Sequence, residues 1–253
     1  MTRSLLTMGQ MLDGFARLRP EAAGVRDLER GLTFARWNDR ARRLGNALLG
    51  LGLHKGDRVA VLAHNRLEWA EIYAATAKAG LIAVPLNFRL SPLEMRFILE
   101  DCGAAAILSE HGLHDLIDQV RGDLDIAEAR FVVFGGHAPG WRDYEDMLLR
   151  AASSAPAVPV ADTDPWAQMF TSGTTGKPKG AIRSHRSQAL LAFGTEIEVG
   201  IGPRDDALLV MPMCHANSLN FFCSFSYRGG VTSIYSRASF DAEEALDVME
   251  RSG

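Results

Sequence analysis

The sequence predicts an α/β protein built on a mostly parallel sheet with helices on both faces. Two observations carry this. Apolar runs of strand length, such as those over 59–63 and 131–134, alternate along the chain with amphipathic stretches of helical period. The composition is that of an ordinary globular protein: 253 residues, 47% hydrophobic and 23% charged, enough for one large domain or two small ones.

A first helix is expected over 5–18, where Leu5, Met8, Leu12, Phe15 and Leu18 are spaced by three and four. A short strand over 32–34 precedes a helix over 35–51. The stripe of that helix is Trp37, Ala41, Leu44, Leu48 and Leu51, and Gly50 and Gly52 end it. The turn Lys55-Gly56-Asp57 introduces a buried strand over 59–63, and a helix over 66–79 closes at Gly80. Residues 81–86 read as a strand, which Pro85 assigns to a sheet edge or a strand end. Ser91-Pro92-Leu93-Glu94 combines an N-cap serine, a first-turn proline and an early negative charge, and so begins a helix running to about residue 101. A strand over 105–108, a helix over 113–120, a strand over 131–134 and a short helix over 142–150 follow. Residues 151–164, rich in Ala, Ser and Pro, read as a surface connection. Beyond them come a strand over 166–170, an ordered element from Ala181, a strand ending at Pro212 and a helix over 241–250. There is no internal repeat. This order suggests an N-terminal α/β subdomain over 1–200 and the start of a second, incomplete one over 201–253.

Net charge is −4, from 27 basic and 31 acidic side chains, which argues against a nucleic-acid or acidic-membrane surface. Cys102, Cys214 and Cys223 cannot all pair with one another, and none forms a C-x-x-C. Free thiols in a reducing, cytoplasmic setting are the simplest account. The first residues lack the apolar run of a signal peptide, and no stretch is long and apolar enough to span a membrane. A homodimer is compatible with this composition.

One segment stands apart: Thr171-Ser-Gly-Thr-Thr-Gly-Lys-Pro-Lys-Gly180. Gly173, Gly176 and Gly180 allow tight turns and close approach to a ligand. Thr171, Ser172, Thr174 and Thr175 add hydroxyls, and Lys177 and Lys179 add charge. The set suits an anion with several oxygens, a polyphosphate above all. A flexible Gly/Ser/Thr linker is the plain alternative, but linkers rarely sit between two ordered apolar runs. The P-loop of NTPases fails at both anchors, since Thr171 stands where its first glycine belongs and Pro178 follows Lys177. No G-x-G-x-x-G opens a helix, so a dinucleotide fingerprint is also absent. A second block, Pro212-Met-Cys-His215, follows a buried strand, where α/β sheets usually place ligands. On residues alone, His215 reads first as a packed, hydrogen-bonded histidine and only second as a site residue. Cys214 could be a nucleophile. Phe221, Phe222, Phe225 and Tyr227 could line a pocket or form core. Asn87-Phe-Arg89 reads as structural.

The ten-residue segment resembles the phosphate-loop signature of the adenylate-forming superfamily, Thr-Ser-Gly-Thr-Thr-Gly-x-Pro-Lys-Gly. Two further stretches are similar to the family's opening blocks: Leu32-Thr-Phe through Gly56-Asp-Arg-Val-Ala-Val, and Pro85-Leu-Asn-Phe-Arg-Leu90. The resemblance implies an ATP-dependent carboxylate–CoA ligase that makes an acyl-adenylate and then a CoA thioester. ATP, Mg²⁺ and CoA would serve it, with a small carboxylic acid as substrate. It assigns Ser172, Gly173, Thr174, Thr175 and Gly176 to the phosphates, Lys179 to charge pairing and Thr171 to Mg²⁺. His215, in a motif similar to Pro-x-Phe-His, would border the acyl site, with Cys214 in place of the usual aromatic. The family's adenine-contacting Tyr-Gly-x-Thr-Glu block, ribose-binding aspartate and C-terminal lysine do not occur in this sequence. The expectation is therefore an N-terminal portion that cannot complete adenylation alone. The alternatives are a peptide-synthetase adenylation domain and a non-catalytic nucleotide-binding remnant.

Overall fold

The computed structural model describes residues 5–171, 178–237 and 239–252. In chain order these form α1 (Met8–Leu18), β1 (Ala23–Asp27), β2 (Gly31–Thr33), α2 (Phe34–Gly50), β3 (Arg58–Leu62), α3 (Glu68–Ala79), β4 (Ile82–Leu86), α4 (Pro92–Cys102), β5 (Ala104–Glu110) and α5 (His114–Asp118). Then follow β6 (Phe131–Phe134), β7 (Arg142–Asp143), α6 (Tyr144–Arg150), β8 (Pro165–Thr171), β9 (Lys179–Ser184), α7 (His185–Val199), β10 (Asp206–Leu209), α8 (Ala216–Arg228), β11 (Val231–Ile234) and α9 (Ala242–Ser252). Among the described residues no helix is long and apolar enough to cross a membrane.

The strands make two sheets. Seven run in the order β7-β6-β5-β3-β4-β8-β9, parallel except for the antiparallel β8–β9 hairpin. Four run in the order β10-β11-β1-β2, parallel except for β1–β2. The inner strands of the large sheet, β3, β4 and β6, are buried on both faces, which is why they read as unbroken apolar runs. Val59 and Val61 pack with α2, α3 and α6, whereas Ala60 and Leu62 pack with α4 and α5. This is the predicted α/β layering.

Local chemistry sets the helix ends. Thr7 caps α1 in a reciprocal box with Gln10, so this helix starts at Met8 and not at Leu5. Ser91 and Glu94 form the same box on α4, with Pro92 in its first turn. Gly80 ends α3 with φ of 67°, a left-handed conformation that glycine adopts without cost.

Of the two places that Pro85 allows, sheet edge or strand end, the structure takes the second, since β4 lies inside the sheet. Pro85 is tolerated there because it stands next to the strand's end, past the β4–β8 partner pair Ala83↔Ala167. Two other elements depart from the sequence reading for physical reasons. Strand β9 has no apolar run, and its Lys179-Gly-Ala-Ile-Arg-Ser184 sequence is half-buried or exposed. Its extended form is imposed by pairing with β8. Strand β1 is also unannounced. It pairs in parallel with β11, and Arg26 donates to Ser233 Oγ at 2.7 Å and ion-pairs with Asp206. Residues 23–33 and 206–234 thus share one sheet despite their separation in the chain.

Candidate functional site

A cavity of about 840 Å³ opens where β4 and β8 end and α8 begins. Leu90, Leu93, Phe97 and Ile98, on and before α4, form one wall, and Met169 and Phe170 of β8 form another. Cys214, His215 and Ala216 close a third side, while Thr171 and Pro178 stand at the mouth. Ligands of parallel sheets gather at such carboxyl ends, and a mostly apolar enclosure with few polar groups is the usual form of a small-molecule site.

The polar mouth is built by the hairpin. Thr171 and Lys179 are direct partners across β8–β9, so the segment between them is closed at its base. Both side chains are exposed. Ser172, Gly173, Thr174, Thr175, Gly176 and Lys177 lie outside the described residues. Among the described residues Lys179 has no ion pair, whereas Lys55 and Lys78 are bound to Asp164 and Asp13. An unpaired cation beside the phosphate-type segment is free to meet an anion. Gly180 opposes Phe170, and a Cβ there would meet the Gln168 carboxamide and the Phe170 ring edge, both of which would have to move to admit it.

The hairpin's root is firm. Trp166 Nε1 donates to Tyr73 O at 3.0 Å. The Trp166 ring stacks on His185, with centroids 5.5 Å apart. Arg186 donates two hydrogen bonds to Asp162, at 2.8 and 2.9 Å.

His215 is exposed and occupies the N-cap position of α8, where its side chain makes no capping bond. Its backbone N–H donates to Pro212 O at 2.9 Å. The imidazole is therefore available to the cavity it lines. Cys214 is only 6% exposed, and burial pushes its thiol up to about 11. Burial disfavours the thiolate that a nucleophile needs, so the geometry favours Cys214 as a wall of the cavity over a catalytic thiol.

The aromatic run divides. Phe222 is core, packed against Trp37 and Tyr73 at 5.8 and 6.0 Å. Tyr227 Oη donates to Leu6 O at 3.0 Å, a structural tie. Phe221 and Phe225 line a separate cavity of about 320 Å³ beside β10. Asn87, read from sequence as structural, lines the main cavity while accepting from Arg89 N–H at 3.0 Å.

Fold and site together define an α/β protein with an apolar cavity at the carboxyl ends of its parallel strands, beside the base of an exposed hairpin. The model of the AMP-binding enzyme family matches residues 12–253, and the chain belongs to that family. It is 36% identical over 225 residues to the long-chain-fatty-acid–CoA ligase FadD13 of Mycobacterium tuberculosis, covering 87% of this chain and 43% of that one. To the indoleacetate–CoA ligase of Aromatoleum aromaticum it is 31% identical over 247 residues, 97% of this chain and 48% of that one. Among solved structures, the anthranilate CoA ligase AuaEII in complex with anthranoyl-AMP superposes with a TM-score of 0.91 at 26% identity, covering 98% of this chain and 48% of that one. The inhibitor-bound N-terminal domain of FACL13 from Mycobacterium tuberculosis gives 0.83 at 30% identity, covering 98% and 61%. The chain spans about half the length of the curated relatives it matches.

Proposed function

We propose that this chain supplies the phosphate- and acyl-binding part of an ATP-dependent carboxylate–CoA ligase. The observation that carries the reading is the meeting, at one cavity, of the hairpin residue Thr171, cross-strand partner of Lys179, with the His215 wall. The names of the relatives, fatty-acid and indoleacetate CoA ligases, support it.

In this reading the substrate's tail enters among Leu90, Phe97 and Met169, leaving its carboxylate near His215. That carboxylate attacks the α-phosphorus of ATP, and pyrophosphate leaves. The thiolate of CoA then attacks the acyl carbon and AMP leaves. The difficulty of the first half is the meeting of anions, which preorganised positive charge relieves. Lys179 supplies such charge, and the amides and hydroxyls of residues 172–176 receive the β- and γ-phosphates. Mg²⁺ would neutralise phosphate charge, with the exposed Thr171 hydroxyl as a ligand from this chain. The fit is reasonable, because Mg²⁺ takes few protein oxygens beside phosphates and waters. The one carboxylate among the described lining residues, Glu94, is engaged with Ser91. His215 borders the acyl carbon and orients it. We further read residues 1–200 as the first subdomain and 201–253 as the opening of the second, with β1 and β2 joining its sheet. The cytoplasm is the compartment that suits three free, buried cysteines.

The natural gene product, given ATP, Mg²⁺ and CoA, should release AMP with at least one member of a panel of aliphatic and aromatic acids. Lys179→Ala should weaken ATP binding about tenfold, the worth of one charge-assisted contact. No AMP from any acid would sink the ligase reading, and unchanged ATP affinity would sink the role of Lys179.

A further inference from the structure

The segment that presents Cys214 and His215 is tied down from outside its own sheet. Asn65 Nδ2 donates to Met211 O at 3.0 Å, and Asn65 Oδ1 accepts from Met213 N–H at 2.7 Å. Tyr73 Oη donates to Met213 O at 2.9 Å inside the core. Ser218 Oγ adds a bond to Met211 O at 2.8 Å. Asn65 belongs to the turn between β3 and α3 on the seven-stranded sheet, whereas Met211 and Met213 follow β10 of the four-stranded one. One carboxamide thus gives this segment the donor–acceptor pair that a neighbouring strand would give.

The turn holding Asn65 is itself anchored on both sides. His64 donates its backbone N–H to Glu110 at 2.8 Å, and its ring lies 4.6 Å from that of Phe88. Trp69 Nε1 donates to His64 O at 2.8 Å. Arg66 pairs with Glu68 at 2.8 Å and Glu110 at 3.1 Å. Asn65 therefore acts from a fixed platform, the condition under which a supporting group can hold a site to sub-ångström tolerance.

We propose that Asn65 is a positioning residue of this site: its carboxamide fixes the backbone of Met211 and Met213, and so sets Cys214 and His215 as the wall that the acyl group meets. The functional half of this statement rests on the ligase reading above. A primary amide of this length is specifically required. Aspartate keeps the acceptor for Met213 N–H but turns a second oxygen toward Met211 O. Leucine keeps the shape and supplies neither bond.

The test uses Asn65→Leu and Asn65→Asp in the natural gene product. In hydrogen exchange, the Met213 amide should exchange about tenfold faster in Asn65→Leu. Asn65→Asp should keep it protected, and the amides of β3 and β5 should be unchanged in both. In AMP release, Asn65→Leu should raise KM for the carboxylic acid about tenfold while KM for ATP stays within about twofold, because the hairpin is not touched. Unchanged Met213 exchange in Asn65→Leu would overturn the clamp. Faster exchange with unaltered acid kinetics would overturn the positioning role. A wild-type protein without acid-dependent turnover would overturn the ligase reading and the kinetic claim that depends on it, while the exchange result would still decide the clamp.

Discussion

His185 should make the stability of this fold fall in mild acid, by an amount the structure sets. It is the first residue of α7, directly after β9, and is 1% exposed. Its ring lies flat on Trp166, and among the described residues neither ring nitrogen has a hydrogen-bond partner. Burial holds its pKa down from 6.5 to about 4, against the opposing pull of Asp164 and Asp162. Those carboxylates are themselves engaged with Lys55 and Arg186. The folded pKa lies below the unfolded one, so the unfolded chain binds the extra proton between the two values. Stability from the neutral ring is complete above pH 6.5 and is lost as pH falls toward 4. At 1.36 kcal/mol per pKa unit, the interval corresponds to about 3 kcal/mol.

Urea unfolding at closely spaced pH values from 4 to 8 measures this, in wild type and in His185→Phe, which retains an aromatic face against Trp166. Other groups titrate in both proteins, so the informative quantity is the difference in slope. Wild type should lose up to about 3 kcal/mol more than the variant across the window, with the two curves parallel above pH 7. Parallel curves throughout would refute the reasoning: the ring would then be solvated or partnered in the folded state. Because Trp166 and His185 root the hairpin, the same acid step should also loosen the arm that carries Thr171 and Lys179.

Further outcomes follow from single contacts. Ser91→Ala removes the cap of α4 and should cost about 1 kcal/mol in urea unfolding, with Glu94 losing its reciprocal partner. Gly180→Ala drives a methyl into Gln168 and Phe170. It should cost about 1–3 kcal/mol in thermal or urea denaturation, and an unaltered midpoint would contradict the close approach. Cys214, with its thiol raised to about 11, should react with iodoacetamide at pH 7.5 far more slowly than a free cysteine, as mass spectrometry of the labelled peptide would reveal.

Much of this was legible in the sequence because the responsible signals are local. The helix cap at Ser91-Pro92, the left-handed Gly80 and the doubly buried β3 run each depend on neighbours within a turn or a strand. The family signature over 171–180 was equally legible, since its glycines and hydroxyls are contiguous, and the family it points to is the one that matches residues 12–253. What escaped detection is held by distant partners. Strand β9 is a strand because β8 pairs with it, and β1 runs between the nearby β2 and the distant β11, over 200 residues on. Asn65 carries no pattern: an isolated asparagine in a strand–helix turn looks like any turn asparagine until Met211 and Met213 arrive beside it. Cys214 could be read either as wall or as nucleophile until its burial was known.

The placement of the cavity makes those distant ties functionally consequential. Its walls come from both sheets: Thr171, Met169 and Phe170 from the large one, Cys214, His215 and Ala216 from the segment after β10 of the small one. Within each sheet, backbone ladders set neighbouring strands to well under an ångström. Between the sheets no ladder runs among the described residues, and the spacing depends on packing and side-chain ties. Packing of Phe222 against Trp37 and Tyr73 fixes the separation but tolerates sliding, because dispersion is weakly directional. The directional constraints nearest the cavity are the hydrogen bonds of Asn65 and Tyr73 to the 211–213 backbone, and farther along the seam Arg30 of the β1–β2 turn donates to Glu68 of α3 at 3.0 and 3.1 Å. Substitutions that break them should therefore shift ligand affinity before they unfold the protein, whereas substitutions within a ladder should do the reverse. The distance from hairpin to histidine wall is a tertiary quantity, and it rests on the few polar groups that cross the seam.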